Sequence, residues 1–253
     1  MVKILSWNVN GLRSAYKKRF LKWLKSSKAD IICLQEIRSA EEQIPEELKN
    51  VRGYYSYFNP SKTKKGYSGT AVYTKIKPLS VNTRSGLRRF DDEGRFLELK
   101  FKDFTLIDLY IVYGGRQKEN MGYKIGVYRH LLSYLKKRKN EKIILMGDFN
   151  IAHTESDLAQ PKNNKNNTMF TPNERKQIDR LISLGFIDTF RKFNQKGGNY
   201  TWWVAYANAR KRNLGWRIDY AFASKSLAKK IKNASIYPKV MGSDHCPIGI
   251  GLE

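Results

Sequence analysis

Apolar positions along the chain fall into short runs that alternate with segments of helical period. "VKILSWN" and "ADIICLQE" read as strands that break into polar residues at their C-terminal ends. Between them, "YKKRFLKWLKSS" spaces Phe20, Trp23 and Leu24 as one amphipathic helix. "GTAVYTK", "RFLELKF" and "FTLIDLYIVY" read as successive strands, and "EKIILMGDFN" as a buried one. "YKIGVYRHLLSYLKKRK" carries Val127, Leu131 and Leu135 on one helical stripe. "TPNERKQIDRLISLG" opens with a capping box of Thr171 and Glu174, has Pro172 at the first helical position, and stops at Gly185. The tail segments "YTWWVAY", "WRIDYAFAS", "NASIYPK" and "HCPIGIGL" are again strand-like. No Pro-, Gly- or Ser-rich linker interrupts the pattern. The expectation is one α/β domain over residues 1–253, a layered sandwich.

One echo stands out. "ILSWNVN" (4–10) and "ILMGDFN" (144–150) share Ile-Leu-x-x-Asn/Asp-x-Asn, as two strands from two halves of the fold would if both delivered polar groups to one end.

Composition narrows the class. With 48 Lys and Arg against 23 Asp and Glu, the formal charge is +25, which points to a polyanionic partner, nucleic acid before membrane. No apolar run approaches the ~20 residues of a membrane span. "MVKILSWNVNG" enters strand-like sequence at once, so no signal peptide is expected. Cys33 and Cys246 have no zinc-type spacing, which favours a reducing cytoplasm over a disulfide scaffold.

Candidate chemistry sits at the strand ends: Asn8, Asn10, Glu36, Tyr110, Asp148, Asn150, Asp219, Asp244 and His245. Carboxylates flanked by β-branched and aromatic residues need a compensating cation. A hard divalent metal such as Mg²⁺ supplies it, takes one or two carboxylates and keeps water for a phosphate. Of three histidines, His130 and His153 read as ordinary surface or core residues. His245 differs because carboxylates recur around it. Asp244 points elsewhere if the local chain is extended, so Asp219 is the expected orienting partner.

"SWNVNGLR", "ICLQE", "KGYSGTAVYTK", "DDEGRF", "GDFNIAH", "NLGWRIDY" and "MGSDHCPIG" occur in order along the whole chain. Together they resemble the exonuclease III class of apurinic/apyrimidinic (AP) endonucleases, within the endonuclease/exonuclease/phosphatase superfamily. The resemblance implies a four-layer α/β/β/α sandwich of two mixed sheets with the active site at one end. It implies Mg²⁺-dependent cleavage 5′ to abasic sites, Mn²⁺ being able to substitute, with 3′→5′ exonuclease and 3′-phosphodiesterase activity. It also implies a monomer acting on double-stranded DNA with abasic or 3′-blocked sites, cytoplasmic and nucleoid-associated.

Position by position, the resemblance makes Glu36 the main metal ligand, assisted by Asn8 or Asn10 and by Asp244; the wider metal set also takes in Asp148, Asn150 and His245. Asp148 positions or deprotonates the attacking water. Asn150 and Tyr110 contact the scissile phosphate, and His245, oriented by Asp219, steadies the transition state. Trp202, Trp216 and Ile218 match a pocket for a flipped-out abasic sugar, whereas Trp203 reads equally well as core. Tyr67, Arg95, Asn164 and Asn167 match positions that grip backbone phosphates or support the site. Arg116 falls where some relatives insert an arginine into the DNA groove, and Arg212 lies in the basic loop with Arg210, Lys211 and Arg217. Val112 and Tyr113 stand where relatives carry Pro-Asn, with the Tyr113 hydroxyl a candidate substitute. "YTWW" is shared with archaeal relatives that also nick at deoxyuridine. The alternatives are a superfamily phosphoesterase for small phosphoesters or lipid head groups, and a catalytically silent DNA-binding scaffold.

Overall fold

Two six-stranded sheets form because twelve apolar segments alternate inward and outward positions. The computed structural model describes residues 1–253. The strands are β1 Val2–Asn8, β2 Ile31–Gln35, β3 Tyr55–Asn59, β4 Thr70–Thr74, β5 Ser80–Asn82 and β6 Phe96–Lys100. They continue with β7 Thr105–Tyr110, β8 Ile143–Asp148, β9 Phe186–Asp188, β10 Asp219–Ser224, β11 Ile231–Ile236 and β12 Ile248–Leu252. One sheet has the order β11-β12-β1-β2-β4-β3 and the other β5-β6-β7-β8-β10-β9. Only β1/β2 and β7/β8 pair in parallel. Read from opposite ends, the two orders superpose, with β1 and β8 in equivalent central places.

Alternation decides the layers. Ile4, Ile144 and Met146 join Cys33, Val72, Leu106 and Ile250 between the sheets. The next residues along, Leu5, Trp7 and Leu145, face outward onto helices. Leu5 and Trp7 meet Leu12, Phe20 and Leu24; Leu145 and Phe149 meet Val127, Leu131 and Leu135 of the Met121–Lys136 helix, and Ile178 and Leu181 of the Pro172–Ser183 helix. The result is the expected helix–sheet–sheet–helix sandwich. The capping box forms as the sequence indicates: Glu174 N–H donates to Thr171 Oγ1, and the Thr171 N–H and hydroxyl donate to Glu174 Oε2.

Two local expectations are corrected. The segment 16–27 is not one helix. It splits into Leu12–Lys17 and Phe20–Ser26 at Arg19, which adopts a left-handed conformation with φ 70°. No Gly or Pro marks the break; packing sets it, because the new direction brings Trp23 edge-on to Trp7 at 4.7 Å. "YTWWVAY" is likewise not a strand. Trp202 makes single bridges to Trp216 and His245, and Trp203 N–H bonds Asp244 O. This stretch knots three loops together at the functional end. Gly215 is required there, since a Cβ would come within 2.4 Å of the Trp203 ring.

Candidate active site

The C-terminal ends of β1, β2, β7 and β8 and the start of β10 open on one pole of the sandwich. The sequence echo becomes a structural one there. Asn10 N–H donates to Asn8 Oδ1 at 3.0 Å, and Asn150 N–H to Asp148 Oδ1 at 2.8 Å. Both second asparagines are left-handed, with φ 46° and 52°. Each strand thus ends in the same Asx turn, and asparagine tolerates the conformation it requires. Glu36 also has φ 52° as it leaves β2, a conformation costing about 1–3 kcal/mol for such a residue. Gly147 lets β8 close on β7, because a Cβ there would meet Leu109 O at 1.9 Å.

Asn8 is buried and its amide donates to both Glu36 Oε1 and Asp148 Oδ2 at 2.9 Å, separating two carboxylates that would otherwise repel. Asn10 donates to Asp244 Oδ1 at 2.8 Å, and Trp202 Nε1 donates to Asp244 Oδ2 at 3.0 Å. His245 Nδ1 bonds Asp219 Oδ2 at 2.9 Å, so the remote aspartate orients the ring. Asp219 stands opposite Asp148 in the β10/β8 register. His245 Nε2 then lies 3.9 Å from Asp148 Oδ2. Ligand atoms of Glu36, Asp148 and His245 all fall within 4.8 Å of one another.

The electrostatics follow from crowding. Burial, then Asp219 and Glu36, push the Asp148 carboxyl above the usual carboxylate range, which makes it a stronger base, with His245 countering. Burial alone would lower His245, but Asp219 overrides it, with Asp148 and Asp244, raising the imidazole to about 10. Burial, then Glu36, push the Tyr110 phenol well up, so it stays protonated and can donate. Glu36 Oε2 is buried and ion-paired with the Arg38 guanidinium. Glu36 and Asp148 oxygens beside one imidazole, within 4.8 Å of one another, make a donor set that fits a hard divalent cation. Asn150 Nδ2 donates to Ile111 O at 2.9 Å and keeps its second N–H.

The other sequence-nominated residues separate into surface and support. Of the two roles left open for Arg95, gripping phosphate or supporting the site, its surroundings fit support. It is 2% exposed, and its three nitrogens bond Glu93, Tyr110 O and the Tyr67 hydroxyl. Its guanidinium lies 4.4 Å from the Tyr110 ring centroid, so it braces Tyr110. Arg217 is buried too, donating to Asp157 and Asp188 at 2.7 Å. Burial would raise Asp157, but Arg217 and then Arg191 hold it at about 2. Arg210 ties the carbonyls of Pro238, Val240 and Ser243. Lys211, Arg212 and Arg116 remain exposed, and Tyr67 is half-buried. Asn164 caps back onto Gln160 O and accepts from the exposed Asn167.

Trp202 and Trp216 stand edge to face at 6.5 Å over Ala152, Leu158, Met169 and Phe170. Ile218 lies beneath them rather than at the surface, being 1% exposed, while Trp203 is core. Val112 is buried, and Tyr113 presents its ring to solvent.

Sequence reading missed Lys124. Fully buried, it donates to Asn150 O at 2.5 Å and Glu174 Oε1 at 2.6 Å, tying the Asn150 turn to both long helices. Burial pushes its amine below the ordinary lysine value, with Glu174 countering. The signal was present: Lys124 continues the apolar stripe of Val127, Leu131 and Leu135. Trp7 Nε1 and Ser243 Oγ were missed as well. They bond His245 O at 3.1 Å and Asn8 O at 2.8 Å and fix the histidine loop to β1.

A profile of the Endonuclease/Exonuclease/phosphatase family matches residues 5–245. The chain is 43% identical over 250 residues to an exodeoxyribonuclease of Bacillus subtilis, covering 98% of both chains. It is 39% identical over 256 residues to the DNA repair nuclease APEX1 of Danio rerio, covering 99% of this chain and 82% of that protein. Among solved structures, an AP endonuclease from Archaeoglobus fulgidus superposes with a TM-score of 0.91 at 29% identity over all of both chains. With the strand-end cluster and the four-layer sandwich already in place, these likenesses make the chain a member of the endonuclease/exonuclease/phosphatase family.

Proposed function

We propose that this protein is a DNA-repair phosphodiesterase that nicks the backbone 5′ to abasic sites and trims blocked 3′ ends, acting as a monomer with Mg²⁺, or with Mn²⁺ in its place. The observation that carries the reading is the convergence of Glu36, Asp148 and Asp219-bonded His245 within one buried pole of a +25 protein. Glu36 and Asp244 would hold the cation, with Asn8 and Asn10 setting their positions. When bound, the cation supplies positive charge to the scissile phosphate.

The remaining work falls to side chains. Hydrolysis needs an in-line water and neutralisation of charge spreading over the phosphoryl oxygens. Asp148 accepts a hydrogen bond or proton from that water. His245, kept cationic by Asp219, stabilises a non-bridging oxygen. The spare Asn150 N–H and the Tyr110 hydroxyl donate without adding negative charge. The Trp202/Trp216 pair offers an apolar recess to a sugar without a base, and an extrahelical nucleotide costs least where nothing is paired or stacked. Exposed Arg116, Lys211 and Arg212 give salt-dependent phosphate contacts.

These features favour DNA over small phosphoesters, and the intact cluster argues against a silent scaffold. The test is a panel of an abasic duplex, a 3′-phosphate duplex, a deoxyuridine duplex and a soluble phosphoester, each with Mg²⁺ and with chelator. Metal-dependent nicking of the abasic duplex is expected; turnover of the soluble phosphoester alone would reject the reading.

A further inference from the structure

The positive charge is not confined to the catalytic pole. All the strand ends remote from the active site converge on the opposite pole, and lysines bracket nearly every one. Lys28 precedes β2, while Lys75 and Lys77 follow β4, where Lys75 N–H bonds Asp30 O. Lys100 closes β6 and Lys102 occupies the β6–β7 turn, with Leu79 N–H bonding Lys100 O. Lys139 and Lys142 lie in the loop into β8, and Lys142 O accepts from Thr105 at the start of β7. Lys225, Lys229 and Lys230 join β10 to β11, and Lys230 O accepts from Glu253 after β12. Except for Asp103, the carboxylates set among them are already paired: Asp30 with Lys75, Glu141 with Arg138 and Glu253 with Lys232. Lys28, Lys77, Lys100, Lys102, Lys139 and Lys142 are exposed and form no ion pair.

Side-chain type indicates what such a surface binds. The cations are almost all lysines, hydrated point charges suited to a counterion atmosphere rather than the bidentate fork of arginine. None of the five tryptophans lies here; Trp7 of β1 packs against Trp23 on the outer face of its sheet, and Trp202, Trp203 and Trp216 belong to the catalytic pole. A lysine field without a tryptophan platform makes mainly phosphate contacts; the aromatics at its edge are Tyr54, beside Lys75, and the exposed Tyr55. We infer that this far pole is a second DNA-binding surface, which holds the backbone of another duplex segment, intact or damaged, while the catalytic pole engages a lesion. The enzyme would then bridge two segments and pass between them without full release. Shared charge sign at both poles and a substrate that is itself a long polyanion favour DNA over an anionic membrane.

The test uses the full chain in chelator with a duplex of about 12 base pairs, ~41 Å long at 3.4 Å per pair. That is too short to bend round a protein whose radius of gyration is about 18 Å. Native mass spectrometry and sedimentation at low salt should give two duplexes per protein. The second should bind abasic and intact duplex equally and weaken steeply with salt. In K77Q/K102Q/K139Q/K142Q the second duplex should bind at least tenfold more weakly. Its log–log salt slope should fall by about 0.9 for each phosphate contact removed. With Mg²⁺ in place of chelator, single-turnover nicking of a short abasic duplex should be unchanged. One duplex at saturation in the parent protein, or a second duplex unaffected by the four substitutions, overturns the inference. So does lysine-dependent binding to anionic phospholipid vesicles with no second duplex. Loss of nicking in the parent protein would instead reject the proposed activity.

Discussion

Lys124→Met tests whether the buried pair behind the active site is structural capital for catalysis. Methionine keeps the stem and removes the ammonium. Glu174 then loses its counter-charge at 0% side-chain exposure, still accepting from Met169 N–H at 3.0 Å, Thr171 N–H at 3.0 Å and Thr171 Oγ1 at 2.7 Å. Removing one partner of a buried pair costs about 3–5 kcal/mol, and the three surviving donors place this case near ~3. At roughly 2–4 °C per kcal/mol for a chain of this size, the midpoint should fall by about 6–12 °C. Glu174→Gln added to Lys124→Met removes the stranded charge. What persists is the Asn150 carbonyl without its donor and the Met169 N–H facing the glutamine NH2 in place of Oε1, neutral losses of about 0.5–1.5 kcal/mol each. The double variant should therefore melt above the single one, which calorimetry or urea titration reads directly. Nicking kcat should remain depressed in both variants at a temperature where each is folded, because the Asn150 turn has lost its tether, while KM moves less. A single variant within about 1 kcal/mol of the parent protein, or a double variant whose loss is the sum of the singles, would refute the reasoning.

Asp219→Asn removes the main group raising His245 to about 10. A raised folded value stabilises fully below the unfolded value of about 6.5 and is lost as pH climbs through the folded one. The melting-temperature gap between variant and parent, measured in chelator, should therefore be widest near pH 6 and close toward pH 10; a gap that grows with pH contradicts the pairing. The alkaline limb of the nicking profile should also move toward neutrality. Asp148→Asn should leave abasic-DNA binding largely intact while nicking falls by at least about 10²-fold, on the scale of lost acid–base or electrostatic groups; near-normal turnover in a gel assay would exclude its action on water. Trp216→Ala should lower selectivity for abasic over intact duplex more than it lowers 3′-phosphate removal; equal losses would contradict the sugar recess. Mg²⁺ should raise the melting temperature of the parent protein more than that of Glu36→Gln, since the Glu36 carboxylate is the expected anchor; equal shifts in a thermal titration would place the cation elsewhere.

Much of this was legible along the chain because it is local. Alternating apolar residues determine strands, a Thr–Pro–x–Glu opening determines a helix start, and Asn-x-Asn and Asp-x-Asn at strand ends determine two matching turns. These patterns depend on neighbours a few residues away. The motif order along the chain carried the family as well. The pairing of His245 with Asp219 was inferable by eliminating its extended neighbour, although only packing brings them to 2.9 Å. What the tertiary structure alone decided are the outcomes of contact between distant segments. Sequence left Arg95 as a phosphate or support residue and placed Arg217 in a basic stretch; burial against Glu93, Asp157 and Asp188 makes both struts. Lys124 looks like an interruption of an apolar stripe until Glu174, fifty residues on, neutralises it. Trp202 and its neighbours look like a strand, but their hydrogen bonds go to Trp216 and Asp244, so they become a junction instead. Periodicity reports which face of an element is apolar; whether a charged group on that face meets solvent, a counter-charge or a phosphate is settled by which remote carboxylate the fold brings beside it, because a charge is stable away from water only when it is paired.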